Sequence, residues 1–159
     1  MQGFPWFICA LCGILLLPAE AASAAQDGTT KGSLVGAWEF TAKPDSSRSD
    51  EGEIAGLATF TSDGTATETD THEAALHLTP GQGTWRRNPA TGRLLIRFTN
   101  LAANADGTLN LKRVVTVNVD LNSTRDEFSG DYAVDLVDAS GHPMKTRSGS
   151  VEGHFMTHD

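Results

Sequence analysis

The chain has 159 residues, of which 39% are hydrophobic, and a formal net charge of −8. That length supports a single core of ordinary size. The acidity argues against a nucleic-acid partner and against docking on an anionic membrane surface.

In chain order, the first element is an almost unbroken apolar run from Phe7 to Leu17, ended by Pro18. A run of this length is too short to cross a bilayer of about 30 Å as a helix. Small residues follow, with an A-x-A pattern at Ala22-Ser23-Ala24, so residues 1–24 read as a secretory signal peptide. Ala19-Glu20-Ala21 and Ser23-Ala24-Ala25 are competing cleavage motifs, and an uncleaved anchor or a buried hairpin is the alternative reading. No Lys or Arg lies between Met1 and Phe7. The expected destination is the periplasm or the extracellular space, with no stable membrane insertion once the signal is cut.

Both cysteines, Cys9 and Cys12, belong to that segment. The exported chain would therefore have no disulfide, no thiolate nucleophile and no cysteine-ligated metal. Losing Glu20 with the signal changes the formal charge from −8 to −7. Residues 25–32 are small and polar and read as a flexible leader. One domain is expected over residues 33–157.

Within it, period-two alternation marks eight candidate strands. They are Leu34 to Thr41, Ile54 to Thr61, Thr65 to Asp70, Gly83 to Arg87, Arg93 to Leu101, Leu109 to Leu121, Glu127 to Val137 and Met144 to Met156. The sixth has the cleanest pattern, with Val115, Val117, Val119 and Leu121 alternating against Val114, Thr116, Asn118 and Asp120. The third is threonine-rich and reads as a rim strand. The last is ambiguous, because Val151 and Phe155 fall out of phase with Met144 and Met156. Thr71 to Leu78 allows a short helical turn, with Ala74, Ala75 and Leu78 on one side.

Turn clusters separate the strands, among them Ser62-Asp63-Gly64-Thr65, Ala105-Asp106-Gly107-Thr108 and Ala139-Ser140-Gly141-His142. Short strands joined by tight turns predict an all-β fold, a single antiparallel up-and-down barrel of about eight strands. A two-sheet sandwich is the other fold this pattern allows. A barrel of this size holds packed side chains or one small ligand.

Gly36-Ala37-Trp38, at the start of the first strand, resembles the G-x-W signature of lipocalins and the wider calycin group. The order Phe60-Thr61-Ser62-Asp63-Gly64-Thr65, Gly81-Gln82-Gly83-Thr84-Trp85, Asp106-Gly107-Thr108 and Phe128-Ser129-Gly130 is similar to a family of small exported bacterial lipocalin-like proteins, mostly without assigned activity. The resemblance spans nearly all of residues 33–157. It implies that Trp38 closes one end of the barrel and that the Lys43 to Glu53 loop overhangs the other. The usual lipocalin disulfide, the T-D-Y motif and the C-terminal helix are missing from this chain.

The chemistry-bearing candidates are few. Trp85, Phe98, Val117 and Tyr132 are candidate walls of an apolar pocket. Arg113 is in phase with Val115 and Val117, which makes it an anchor for an acidic head group, the partner of a buried carboxylate, or, as the blander reading, a strand-end residue that reaches solvent by its flexible stem. His72, Glu73 and His77 share the longest connection, but no third metal ligand is evident at usable spacing. Catalytic elbows and phosphate-binding loops are absent. The expectation is a non-catalytic, cofactor-free barrel for a small apolar or amphipathic ligand. The alternatives are a cyclase or isomerase that works by shaping its substrate, and a protein-binding barrel such as a periplasmic protease inhibitor.

Overall fold

The computed structural model describes residues 33–45 and 52–157. The expected signal peptide, the expected leader and most of the stretch from Lys43 to Glu53 lie outside the described residues. Eight strands follow one another as β1 (Gly36–Pro44), β2 (Ile54–Phe60), β3 (Thr65–Asp70), β4 (Gly81–Arg87), β5 (Leu94–Ala103), β6 (Leu109–Leu121), β7 (Glu127–Asp138) and β8 (Pro143–Phe155). Among the described residues a single short helix, α1 (Thr71–Leu76), joins β3 to β4. Every strand pairs antiparallel with its sequence neighbour, and β1 pairs with β8, which closes the barrel.

Alternation explains which side chains face inward. Ile96 and Phe98 on β5 pair with Val117 and Val115 on β6, which in turn pair with Tyr132 and Val134 on β7. These residues join one continuous apolar core. The phase of β8 is settled by pairing: Val151 lies opposite Gly130 and is buried, whereas Met144 and Met156 are exposed. A register shift between Leu136 and Val137 adjusts the β7–β8 pairing near the open end.

The closed end is built around Trp38, which is 1% exposed. Its indole Nε1 donates to the Leu34 carbonyl at 2.7 Å, and its ring packs on Phe128 and Phe155 at centroid distances of 5.1 and 5.3 Å. The glycine of G-x-W has two causes. Gly36 has φ +131°, and a Cβ there would lie 2.3 Å from the Phe155 ring. Leu34 therefore precedes the first strand instead of opening it, and plugs the barrel as a fully buried side chain.

At the opposite end, aspartates shape the tight turns. Asp106 accepts the Thr108 N–H at 2.9 Å, and Asp138 accepts those of Ser140 and His142 at 2.8 and 2.9 Å. This end also carries α1, which bends over the barrel interior.

Candidate functional site

The barrel contains a cavity of about 600 Å³. Its wall is mostly aromatic and aliphatic, with Ile96, Phe98, Val115, Val117, Phe128 and Tyr132 toward the closed end. Leu76 and Leu78, from α1 and the segment after it, reach the cavity from above. Leu111, Leu136 and Arg147 line its open end.

One side of the wall is polar. On β3 the threonines point outward, and Ala66, Glu68 and Asp70 point inward. Glu68 and Asp70 are almost completely covered, with side chains 3% and 2% exposed. Arg113 reaches them from β6, pairing with Asp70 Oδ2 and lying 3.7 Å from Glu68 Oε1. Asn100, fully buried on β5 and directly paired with Arg113, donates from Nδ2 to Glu68 Oε1 at 2.8 Å.

This network spans β3 to β6, so it must pass over β4. Glycines make that possible. Gly81 pairs with Glu68, and a Cβ at Gly81 would lie 2.3 Å from Glu68 Oε1. At Gly83 a Cβ would come within 1.9 Å of the Arg97 carbonyl oxygen on β5. The close approach of backbones there excludes any larger residue. The Gly-Gln-Gly stretch thus gives β4 a bare inner surface on which the Glu68 side chain rests.

Two further contacts tie the network to α1. Asp70 Oδ1 accepts the His72 N–H at 2.8 Å and caps the helix, while Oδ2 holds Arg113. Glu73, buried on the helix, accepts from Thr69 Oγ1 at 2.6 Å. Burial pushes the Glu68 carboxyl up to about 7; the Asn100 hydrogen bond and the Arg113 charge oppose this, while the Asp70 and Glu73 charges add to it. Glu68 Oε2, Glu73 Oε1 and Asn100 Oδ1 are buried without a hydrogen-bond donor from the protein.

The sequence candidates fall in different places. Phe98, Arg113, Val117 and Tyr132 line the cavity. Trp85 does not; it packs on Phe60 on the closed-end side and donates from Nε1 to the Thr61 carbonyl at 2.9 Å. A turn carbonyl within reach draws the indole away from the cavity. Of the readings of Arg113, the geometry shows the partner of buried carboxylates, with a side chain 11% exposed and not extended into solvent. His72 lines the cavity, Glu73 turns toward Thr69, and His77 is exposed in the left-handed conformation (φ 52°) that ends α1. No group of three His, Cys, Asp or Glu side chains with metal-binding geometry occurs among the described residues.

Glu68, Asp70 and Asn100 were not singled out by the sequence. The available signal was their phase, since Glu68 and Asp70 alternate in step with Ala66. Both faces of β3 are polar, however, and alternation cannot choose between two polar faces.

Compared with protein-family models, with curated proteins and with solved structures, the chain matches none.

Proposed function

We propose that this protein is an exported, lipocalin-like container for one small apolar or amphipathic molecule. The observation that carries this reading is the cavity of about 600 Å³, which has an apolar interior and a polar network on one wall. Cavities of this size and character suit small ligands. Desolvation against Phe98, Val117 and Tyr132 would supply most of the affinity, and the polar wall would orient the ligand.

Two measurements test it. Native mass spectrometry of the protein from its own source, set against its denatured mass, is expected to show a bound molecule. Titration with the neutral fluorophore N-phenyl-1-naphthylamine is expected to saturate at one site. Phe98→Ala and Tyr132→Ala should each weaken that binding by about tenfold, the loss expected from removing part of an aromatic contact. Unchanged affinity in both folded variants would show that the cavity is not the site.

Glu68 favours a second reading. A buried carboxyl that titrates near neutrality suits general acid–base work on an enclosed substrate. An isomerase or cyclase of this kind would lose turnover of a conjugated or epoxide-bearing substrate in Glu68→Gln while still binding it.

A further inference from the structure

We propose that α1 is a lid on the cavity and that the charge on Glu68 controls its closure, an inference that rests on the container reading above. Glu68 lies between two latches, one at each end of the helical segment. At the N-terminal end, Arg113 lies beside Glu68 and holds Asp70, the residue that caps α1. At the C-terminal end, Asn100 bonds Glu68 through Nδ2 and also donates to the Thr79 carbonyl at 3.1 Å. Thr79 is fastened to β5 as well, its N–H to the Leu101 carbonyl at 2.8 Å and its Oγ1 to the Leu101 N–H at 3.0 Å. Between the latches, Leu76 and Leu78 sit on the cavity.

The surroundings of Glu68 fix the direction of the effect. Its partners on β2 and β4 are Ala58 and Gly81, which carry no charge. Asn100 on β5 is neutral. The charged groups nearby are Asp70 on β3, Arg113 on β6 and Glu73 on α1, with the His72 imidazole on the same helix facing the cavity. With Glu68 protonated, Asp70 pairs with the guanidinium without a rival charge. With Glu68 ionised, the additional charge competes with Asp70 for Arg113 while repelling Glu73. Opening the lid admits water to Glu68 and removes the burial that disfavours its ionised form. Ionisation therefore favours the open state, and rising pH opens the cavity. If the open lid returned Glu68 from about 7 to its ordinary 4.5, the opening equilibrium would rise by roughly 300-fold in all, between about pH 4.5 and about pH 7.

Amide hydrogen exchange between pH 5.5 and 8.5, corrected for intrinsic exchange, tests this. The reporters are the His77 and Leu78 amides, which donate to the Glu73 carbonyl, and the Thr79 amide. In the wild-type protein their protection is expected to fall by roughly 30-fold between pH 5.5 and 8.5, most of it below about pH 7 and levelling off above, while Val117 on β6 keeps its protection. Glu68→Gln, which retains an acceptor for Asn100, should flatten the dependence. Equal protection across the range, equal loss in β6, or the same slope in Glu68→Gln would each overturn the lid. Should that variant fail to fold, the wild-type comparison of lid with β6 decides alone. Exchange is read without ligand, so a barrel that bound no N-phenyl-1-naphthylamine would overturn the container reading and leave the lid result standing.

Discussion

Replacing Arg113 with Met probes the polar wall most directly. The side chain is 11% exposed and faces two carboxylates that are 2% and 3% exposed. Methionine fills similar space but leaves Asp70 and Glu68 without their cation. Removing one partner of a buried pair costs about 3–5 kcal/mol, because the remaining charge can neither pair nor reach water. That cost depends on pH. Without Arg113 the Glu68 carboxyl, already raised by burial, loses an opposing charge and is raised further in the folded protein, so the folded state retains a proton that the unfolded state has released. Stability is then lost as pH rises through the folded value. Urea denaturation of Arg113→Met is expected to show a loss of about 4 kcal/mol at pH 8 and a clearly smaller loss at pH 5. Adding Asp70→Asn should recover most of the deficit at pH 8, because Asn still caps α1 and no longer carries a charge. A loss under about 1 kcal/mol at pH 8, or no recovery in the double variant, would refute the view that Arg113 is held by buried carboxylates.

Three other outcomes are expected. In the wild-type protein, Glu68 has a folded value of about 7 against an ordinary 4.5, so its protonated form stabilises the fold fully below about 4.5. That stabilisation fades as pH rises to about 7, by about 3 kcal/mol at most; stability curves from pH 4 to 8 for wild type and Glu68→Gln should differ by this slope, and lid opening would reduce it. Trp38→Ala should cost about 3–5 kcal/mol, since it empties the closed end and breaks the bond to Leu34; thermal denaturation measures it. Gly83→Ala places a methyl 1.9 Å from the Arg97 carbonyl oxygen, and a shift of at least about 2 kcal/mol is expected because backbone, not a flexible side chain, must move.

Much of the wall was legible from periodicity. Val115, Val117 and Val119 alternate with Thr116 and Asn118, and Ile96 and Phe98 with Arg97 and Thr99, so over those stretches the inward face is the apolar one. The polar side of the site was not legible. Thr65 to Asp70 offers polar residues on both faces, and only packing against α1 and the bare surface of β4 turns Glu68 and Asp70 inward. Trp85 illustrates the converse: its phase marks it as inward, yet a turn carbonyl at Thr61 decides where its indole goes.

Local physics alone determined the meander. Turn chemistry at Asp63-Gly64, Asp106-Gly107 and Ser140-Gly141 and the two-residue period are properties of neighbouring residues, so eight strands, and the apolar faces of all but β3 and β8, follow from the chain itself. Closure of β1 on β8 and the meeting of Arg113 with Asp70 join residues far apart in sequence. Those contacts depend on register, and the Glu68 side chain of the same network on the space left at Gly81. Such quantities exist only once all eight strands are paired, and for that reason the tertiary structure decided them.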